Sequence, residues 1–201
     1  MCDSGLKMSV VSDINWIFHK YYSDNPALCR IVRIHSEQVA KKALSIAAKK
    51  NLPLDNKDIY CAAMLHDIGV INCHAPDIYA FGSLPYLRHG IEGKKILEEN
   101  GLTQYGGVCA NHTGAGITAK EIRTNNLPLP EIDLIPKSLL EKLICYADKF
   151  FSKSHDLTKE KTIDEIIVQM KKFGDDSLNR FIEMHSLFDS PIPSFDNSHK
   201  K

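Results

Sequence analysis

Apolar residues recur at helical spacing along most of the chain, and no run alternates as a half-buried strand would. The pattern predicts helices over 9–22, 88–100 and about 103–112, then over 162–173 and about 176–188. Asn25 followed by Pro26 is typical of a helix cap and a first helical residue, so another helix should begin there. The predicted architecture is an all-α helical bundle.

The helix that begins at Pro26 carries one apolar stripe that includes a histidine. Its positively charged residues, among them Lys41, Lys42, Lys49 and Lys50, fall on the opposite face. His35 is therefore predicted to point into the core. The stripe consists of Leu28, Ile31, Val32, His35, Val39, Ile46 and Ala47.

A third helix, capped by Asp55, is apolar almost all round and should be central to the bundle. It closes with His66 and Asp67, and Gly69 is predicted to be its C-terminal stop. A carboxylate among such apolar neighbours needs a cation or hydrogen-bond donors. Taken alone, Asp67 would more often be a helix-terminal cap than a metal ligand.

The sequence also predicts the structure of segments between the helices. Residues 71–85 have no clear period and predict a long loop, and the proline-punctuated 127–136 predicts an extended connector. Capping-box patterns occur at Thr118–Glu121, Ser138–Glu141 and Thr162–Glu165, and the middle one begins the helix that holds Asp148. We expect a single domain over 1–190, with its core at about 28–155, and a mobile tail over 191–201.

Composition excludes several classes of protein. The chain has 201 residues and zero net charge, so it is long enough for one domain and has no basic field to attract a nucleic-acid polymer. No run reaches transmembrane length and no signal-peptide core is evident, which predicts a cytoplasmic protein without a membrane partner. The six cysteines form no CxxC pair and are expected to be buried thiols in a reducing compartment.

Six residues carry the candidate chemistry: His35, His66, Asp67, His89, His112 and Asp148. Imidazoles and carboxylates are ligands that hold Fe, Mn or Zn while leaving positions for water and substrate. Taken one at a time, these residues could also have ordinary structural roles. His35 could be a satisfied core histidine, His89 and His112 could be surface residues, and Asp148 could pair with a nearby Lys or Arg.

The order H…HD…H…H…D from His35 to Asp148 resembles the HD superfamily of metal-dependent phosphohydrolases, and HDIG at 66–69 resembles its HDIG subgroup. The resemblance implies an HD-domain helical bundle with the metal site between central helices. It implies that His35, His66, Asp67 and Asp148 bind one metal, and that Asp67 bridges to a second metal held by His89 and His112. It makes Asp67 and His66 the catalytic residues. The ions would be two divalent metals, with Fe, Mn, Co, Ni, Zn and Mg all open.

The sequence departs from its relatives near this motif. Many HDIG proteins continue with a lysine that can contact substrate phosphate, whereas here the residue is Val70. His112 is followed by TGAG rather than the GYP motif of cyclic-di-GMP phosphodiesterases, which argues against that substrate. The TGAG segment is similar to hydrolases of symmetrical dinucleoside tetraphosphates and to small HDIG proteins of unassigned substrate. Phosphate contacts are therefore expected from Arg88, Thr113 and Lys149.

Three functions fit this pattern. The first is a phosphohydrolase that acts on a small phosphorylated metabolite, foremost a nucleotide, through a metal-activated water. The second is a mixed-valent diiron oxygenase, because the same six-ligand pattern occurs in HD-domain oxygenases. The third is a non-catalytic nucleotide-binding module, although such a module need not retain all six residues. A homodimer is also an open alternative to a monomer.

Overall fold

The computed structural model of the protein describes residues 14–154 and 156–190, and helices dominate this part of the chain. The start of the predicted helix at 9–13 and the predicted tail at 191–201 lie outside the described residues. We number the helices in chain order: α1 (14–22), α2 (Pro26–Lys50), α3 (Asn56–Leu65), α4 (His89–Glu99), α5 (Gly106–Asn111), α6 (Ala119–Thr124), α7 (Leu139–Asp148), α8 (Ile163–Lys171) and α9 (Asp175–Phe188).

Side-chain hydrogen bonds to backbone amides explain where several of these helices begin. The Asn25 side chain accepts from the Leu28 amide at 3.1 Å, and the Asp55 side chain accepts from the Lys57 amide at 2.7 Å. Thr118 and Thr162 form full capping boxes with the glutamates three residues later, as the sequence predicts. Ser138 caps α7 by accepting from the Glu141 amide.

The segment predicted as a long loop, 71–85, contains a small sheet. Strand β1 (Cys73–Ala75) pairs antiparallel with β2 (Ala80–Phe81) and parallel with β3 (Leu84–Pro85). In register, His74 lies opposite Phe81 and Cys73 lies opposite Leu84. Strands of two or three residues are too short to show an alternation of apolar and polar positions, so the sequence pattern does not predict them.

Gly69 has a different role from the predicted one. It lies in a 3₁₀ turn, Ile68–Asn72, and it is absent from the glycines that adopt positive φ. Its function is close approach, because a Cβ at this position would collide with the His89 carbonyl oxygen and the Gly93 amide nitrogen. By contrast Gly101, with φ of 72°, does end α4 in the left-handed conformation.

The core brings the helices that carry the candidate residues into one packed unit. Helix α2 packs on α3 and α7, while α4 packs on α5 and on the 3₁₀ turn that follows α3. Their shared interior includes Val39, Met64 and Ile144, which are fully buried. None of the helices within 14–154 and 156–190 is long and apolar enough to cross a membrane.

Candidate metal centre

The six candidate residues come together at the ends and middles of five packed segments. His35 lies in the middle of α2, and His66 and Asp67 directly follow α3. His89 is the first residue of α4, His112 directly follows α5, and Asp148 is the last residue of α7. All six are buried, and Asp67 has no exposed surface. The structure therefore brings together residues that are up to 113 positions apart.

The first cluster contains His35, His66, Asp67 and Asp148, whose donor atoms all lie within 4.8 Å of one another. His35 Nε2 lies 2.9 Å from Asp148 Oδ1 and 3.3 Å from Asp67 Oδ2. His66 Nε2 lies 3.1 Å from Asp67 Oδ2 and 3.4 Å from Asp148 Oδ1. Two imidazoles and two carboxylates thus face a common point.

The second cluster contains Asp67, His89 and His112 within the same limit. His89 Nε2 lies 3.5 Å from Asp67 Oδ1, and His112 Nε2 lies 3.4 Å from it. Because Oδ2 faces the first cluster and Oδ1 faces the second, the Asp67 carboxylate lies between two groups of donors. This is the arrangement that a bridging ligand requires.

Backbone carbonyls fix how three of the imidazoles point. The Nδ1 atoms of His66, His89 and His112 lie 2.7 Å from the carbonyl oxygens of Ala63, Tyr86 and Cys109, respectively. A carbonyl oxygen can only accept, so each Nδ1 carries the hydrogen and each neutral ring leaves a lone pair on Nε2. Metal-binding histidines are commonly oriented in this way.

These buried donor atoms fit a metal ion. No hydrogen bond from the described residues reaches Asp67 Oδ1 or His66 Nε2, whereas the Lys153 ammonium lies 2.6 Å from Asp67 Oδ2. The Nε2 atoms of His89 and His112 lie 2.9 Å apart, although the carbonyls behind them leave neither with a hydrogen to share. Buried lone pairs that face one another are costly unless a cation lies between them. The donor set suits divalent metals in both clusters.

The charges of the site show how strongly the two carboxylates attract a cation. Burial alone would lower the pKa of His66, but the Asp67 and Asp148 carboxylates outweigh it and raise that pKa to about 9, so a metal that binds His66 would displace a proton from the ring. Burial and the neighbouring His112 lower the pKa of His89 to about 3, so this ring stays neutral and able to bind metal. Burial would raise the pKa of the Asp67 carboxyl, yet His66 and Lys153 hold it well below its usual range.

Two lysines reach the carboxylates of the site, and one of them was missed by the sequence reasoning. Lys149 Nζ lies 2.7 Å from Asp148 Oδ2 and donates to the His112 carbonyl oxygen at 2.9 Å. Lys153 Nζ lies 2.6 Å from Asp67 Oδ2, and its side chain is 14% exposed. Lys153 comes from the segment after α7, four residues beyond Lys149. It places a positive charge beside Asp67, whereas position 70, where many HDIG proteins have a lysine, is an uncharged valine here.

The other two predicted phosphate contacts point elsewhere. The Arg88 guanidinium pairs with Glu92 Oε1 at 3.2 Å and donates to the Pro128 carbonyl oxygen at 3.2 Å. Thr113 lines a small apolar crevice beside Leu129 and Leu134. The structure therefore does not bring Arg88 or Thr113 into the cavity beside the candidate metal ligands. The Arg88 guanidinium binds Glu92 and the Pro128 carbonyl oxygen instead, and Thr113 lies beside the 127–136 connector.

A cavity of about 390 Å³ opens beside the first cluster, and Asp148, Lys149 and Lys153 form part of its wall. Tyr86 also lines it and stacks on His89 with ring centroids 4.8 Å apart. The volume lies within the range of sites for small organic ligands. Buried donors and an adjacent open cavity together suit a metal-assisted reaction on a small molecule.

Helix α9 holds the loop that follows His112. Arg180 donates to the carbonyl oxygens of Ala115 at 3.1 Å and Gly116 at 2.9 Å, and it also pairs with Glu121 at 2.8 Å. Gly116 has a φ of 84°, a conformation that favours glycine. Arg180 thereby links the loop that follows His112 to both α6 and α9.

Comparison with known proteins agrees with this geometry. Residues 32–152 match the HD domain family, and the chain therefore belongs to that family. Members of the family are generally metal-dependent hydrolases. The match covers all six candidate ligands. It does not distinguish the HDIG subgroup, which stays a prediction from the motif at 66–69.

Individual relatives give no further assignment. The chain is 30% identical over 132 residues to the tRNA (cytidine(56)-2'-O)-methyltransferase of Picrophilus torridus, an alignment that covers 65% of this chain and 34% of that protein. It is 25% identical over 159 residues to the enzyme of the same name from Thermoplasma volcanium, covering 79% and 42%. An uncharacterized protein of Methanocaldococcus jannaschii is 32% identical over 138 residues, covering 68% and 71%. No solved structure matches the chain.

The two clusters lead to a prediction about metal stoichiometry. We expect two metals per chain at saturation, because Asp67 presents one oxygen to each donor group. His89→Ala and His112→Ala should each lose the second metal and keep the first, since neither ring belongs to the first cluster. Elemental analysis after equilibration with metal and gel filtration gives the ratio.

The matched control is His19→Ala, which removes an exposed imidazole outside the site and should retain both metals. A parent protein with one tightly bound metal, unchanged in the His89 and His112 variants, would rule out the two-metal assignment.

Proposed function

We propose that this protein is a metal-dependent phosphohydrolase that cleaves a phosphoester or phosphoanhydride of a small metabolite, foremost a nucleotide. The observation that carries the proposal is the placement of two lysine ammonium groups at the two metal-binding carboxylates, where the cavity begins. Lys149 adjoins Asp148 and Lys153 adjoins Asp67. Membership of the HD domain family supports the reaction class.

The charges of the cavity favour an anionic substrate. Asp67 and Asp148 offer two negative charges, and the two lysines already balance them. Divalent metals on the same ligands would leave the site with excess positive charge. A phosphate group neutralises that excess and can accept hydrogen bonds from both ammonium groups. A neutral substrate could accept hydrogen bonds but would leave the excess charge in place.

The chain's own residues would act mainly by positioning. His66, His89 and His112 are locked by backbone carbonyls, so their Nε2 atoms need no reorientation to bind. Lys149 and Lys153 would hold the phosphoryl oxygens, and Tyr86 would shield the His89 side of the site from bulk water. Bound metals would supply an activated water near neutral pH and stabilise the charge that develops on the phosphoryl group.

The oxygenase and the binding module remain the competing hypotheses, and they separate experimentally. An oxygenase needs dioxygen and a mixed-valence iron pair, whereas a phosphohydrolase turns over without dioxygen. A binding module would retain ligand without turnover. Metal content and oxidation state after anaerobic purification would therefore be the first measurement to make.

The decisive test is an anaerobic hydrolysis panel. We expect the parent, supplied with Mn, Fe, Co or Mg, to release phosphate from at least one class among mononucleotides, nucleoside polyphosphates, dinucleoside polyphosphates and simple phosphomonoesters. His112→Ala should lose most of this activity, and His19→Ala should keep it. Absence of turnover with every metal and substrate, or turnover that requires dioxygen, would reject the proposal.

A further inference from the structure

Part of the cavity wall comes from outside the matched family region. Residues 32–152 match the HD domain, yet Lys161, Gln169, Met170 and Phe173 also line the cavity. Gln169 and Met170 lie on α8, and Phe173 follows that helix. The metal ligands and this far wall therefore come from different stretches of the chain.

Lys161 differs from the other two lysines of the cavity in lacking a negative partner. Lys149 adjoins Asp148, and Lys153 adjoins Asp67. The Lys161 ammonium instead reaches three neutral oxygens: the carbonyl oxygens of Phe151 at 3.4 Å and Lys149 at 3.5 Å, and Gln169 Oε1 at 3.2 Å. Within the described part of the chain it makes no ion pair.

The Lys161 ammonium has hydrogen-bond acceptors, but no carboxylate within the described part of the chain forms an ion pair with it. Lys161 is partly buried, and burial lowers its pKa; Asp148 and Glu165 oppose that shift, whereas Lys149 and Lys153 add to it. A cation that is desolvated and lacks a counter-ion is costly unless an anion joins it. Because the ammonium borders an open cavity, an anion from solution can reach it.

The position of Lys161 matters as much as its charge. Its contacts are to the backbone of 149–151 and to α8, and none is to a metal-binding side chain. A phosphate bound at the metal centre would neutralise the excess charge of the metals beside Lys149 and Lys153, which leaves Lys161 for a separate negative group. The exposed ring of Phe173 then offers apolar surface for an organic group beyond it.

We propose that Lys161 binds a second phosphate of the substrate, so that the natural substrate carries at least two linked phosphates, as a nucleoside diphosphate or triphosphate does. The inference rests on the proposed function for the place of the first phosphate. It assigns Lys161 as the residue that distinguishes such compounds from monophosphates.

The test compares two stable probes, inorganic phosphate and methylenediphosphonate, by calorimetry on the metal-loaded full chain. We expect the parent to prefer the diphosphonate, and Lys161→Gln to reduce that preference by about tenfold while the affinity for phosphate stays within about twofold. Glutamine keeps donors for the neighbouring carbonyls but removes the charge. Lys159→Gln, which alters an exposed lysine outside the cavity, should change neither affinity.

A second variant guards against misfolding of Lys161→Gln. Gln169→Glu changes an exposed residue of α8 and places a carboxylate beside the Lys161 ammonium without removing any lysine. It should lower the diphosphonate preference in the same direction, with an unchanged melting temperature. Unchanged preference in a folded Lys161→Gln or Gln169→Glu variant would overturn the inference.

The two proposals fail in different ways. If no phosphate compound is hydrolysed but both variants lose the diphosphonate preference, the role of Lys161 stands and the hydrolase assignment falls. If monophosphates are hydrolysed and the preference is the same in parent and variants, the hydrolase assignment stands and the role of Lys161 falls.

Discussion

Asp67→Asn is expected to reduce phosphohydrolase activity by at least about 10³-fold, with loss of metal as the immediate cause. Residues that merely orient metal ligands are each worth roughly 10- to 100-fold, and Asp67 lies between both donor clusters itself. The amide keeps the shape of the side chain but removes the charge that would hold two cations. Metal content and the rate of phosphate release should fall together.

Folding must be monitored in the same experiment, because Asp67 also lies 2.6 Å from the Lys153 ammonium. Circular dichroism should show retained helix. Asp24→Asn provides the control, since it alters an exposed carboxylate between α1 and α2 and should leave metal content and rate unchanged. A metal-loaded Asp67→Asn variant that is as fast as the parent would refute the metal-hydrolase mechanism.

Gly69→Ala should destabilise the protein by about 3 kcal/mol, although it adds only one methyl group to a buried turn. The methyl would collide with backbone atoms of His89 and Gly93, which cannot rotate away as a side chain can. For a chain of this size the melting temperature should drop by roughly 6–12 °C. Helix α4 would have to shift, so metal binding by His89 should weaken as well.

The matched control is Gly106→Ala in α5. Its added Cβ would meet only the flexible Lys94 side chain, at 3.2 Å, and its backbone is helical with φ of −60°. Thermal melts should place this variant within about 1 kcal/mol of the parent. Equal melting temperatures for Gly69→Ala and the parent would show that α4 does not pack as tightly on the turn as described.

The sequence identified the six side chains that converge, because their order along the chain resembles the pattern of the HD superfamily; helical periodicity by itself supported only His35. His35 lies on an apolar stripe, and the stripe of a helix predicts which way its residues point. The helix caps were equally local, since each depends on residues within three positions. The small sheet over 73–85 depends instead on pairing between very short segments, which no local pattern reveals.

Side chains outside regular elements were harder to place. Lys153 reaches Asp67 only because the chain turns after α7, and the sequence does not specify the direction of that turn. The pairing of Arg88 is predictable from local sequence, since Glu92 lies four residues later on the same helical face and competes for the guanidinium. The surroundings of Thr113 depend on the path of the 127–136 connector, which is distant in sequence. Local conformational propensities do not predict that path.

The division of the cavity wall has an evolutionary consequence. A lineage could exchange the region from Lys161 to Phe173 and change which substrates the protein accepts, while the histidines and aspartates of the candidate metal centre stay unchanged. Selection can then change substrate recognition without changing the candidate metal ligands. Grafting this region from one relative onto another would be a direct way to test whether new specificities arise by such exchanges.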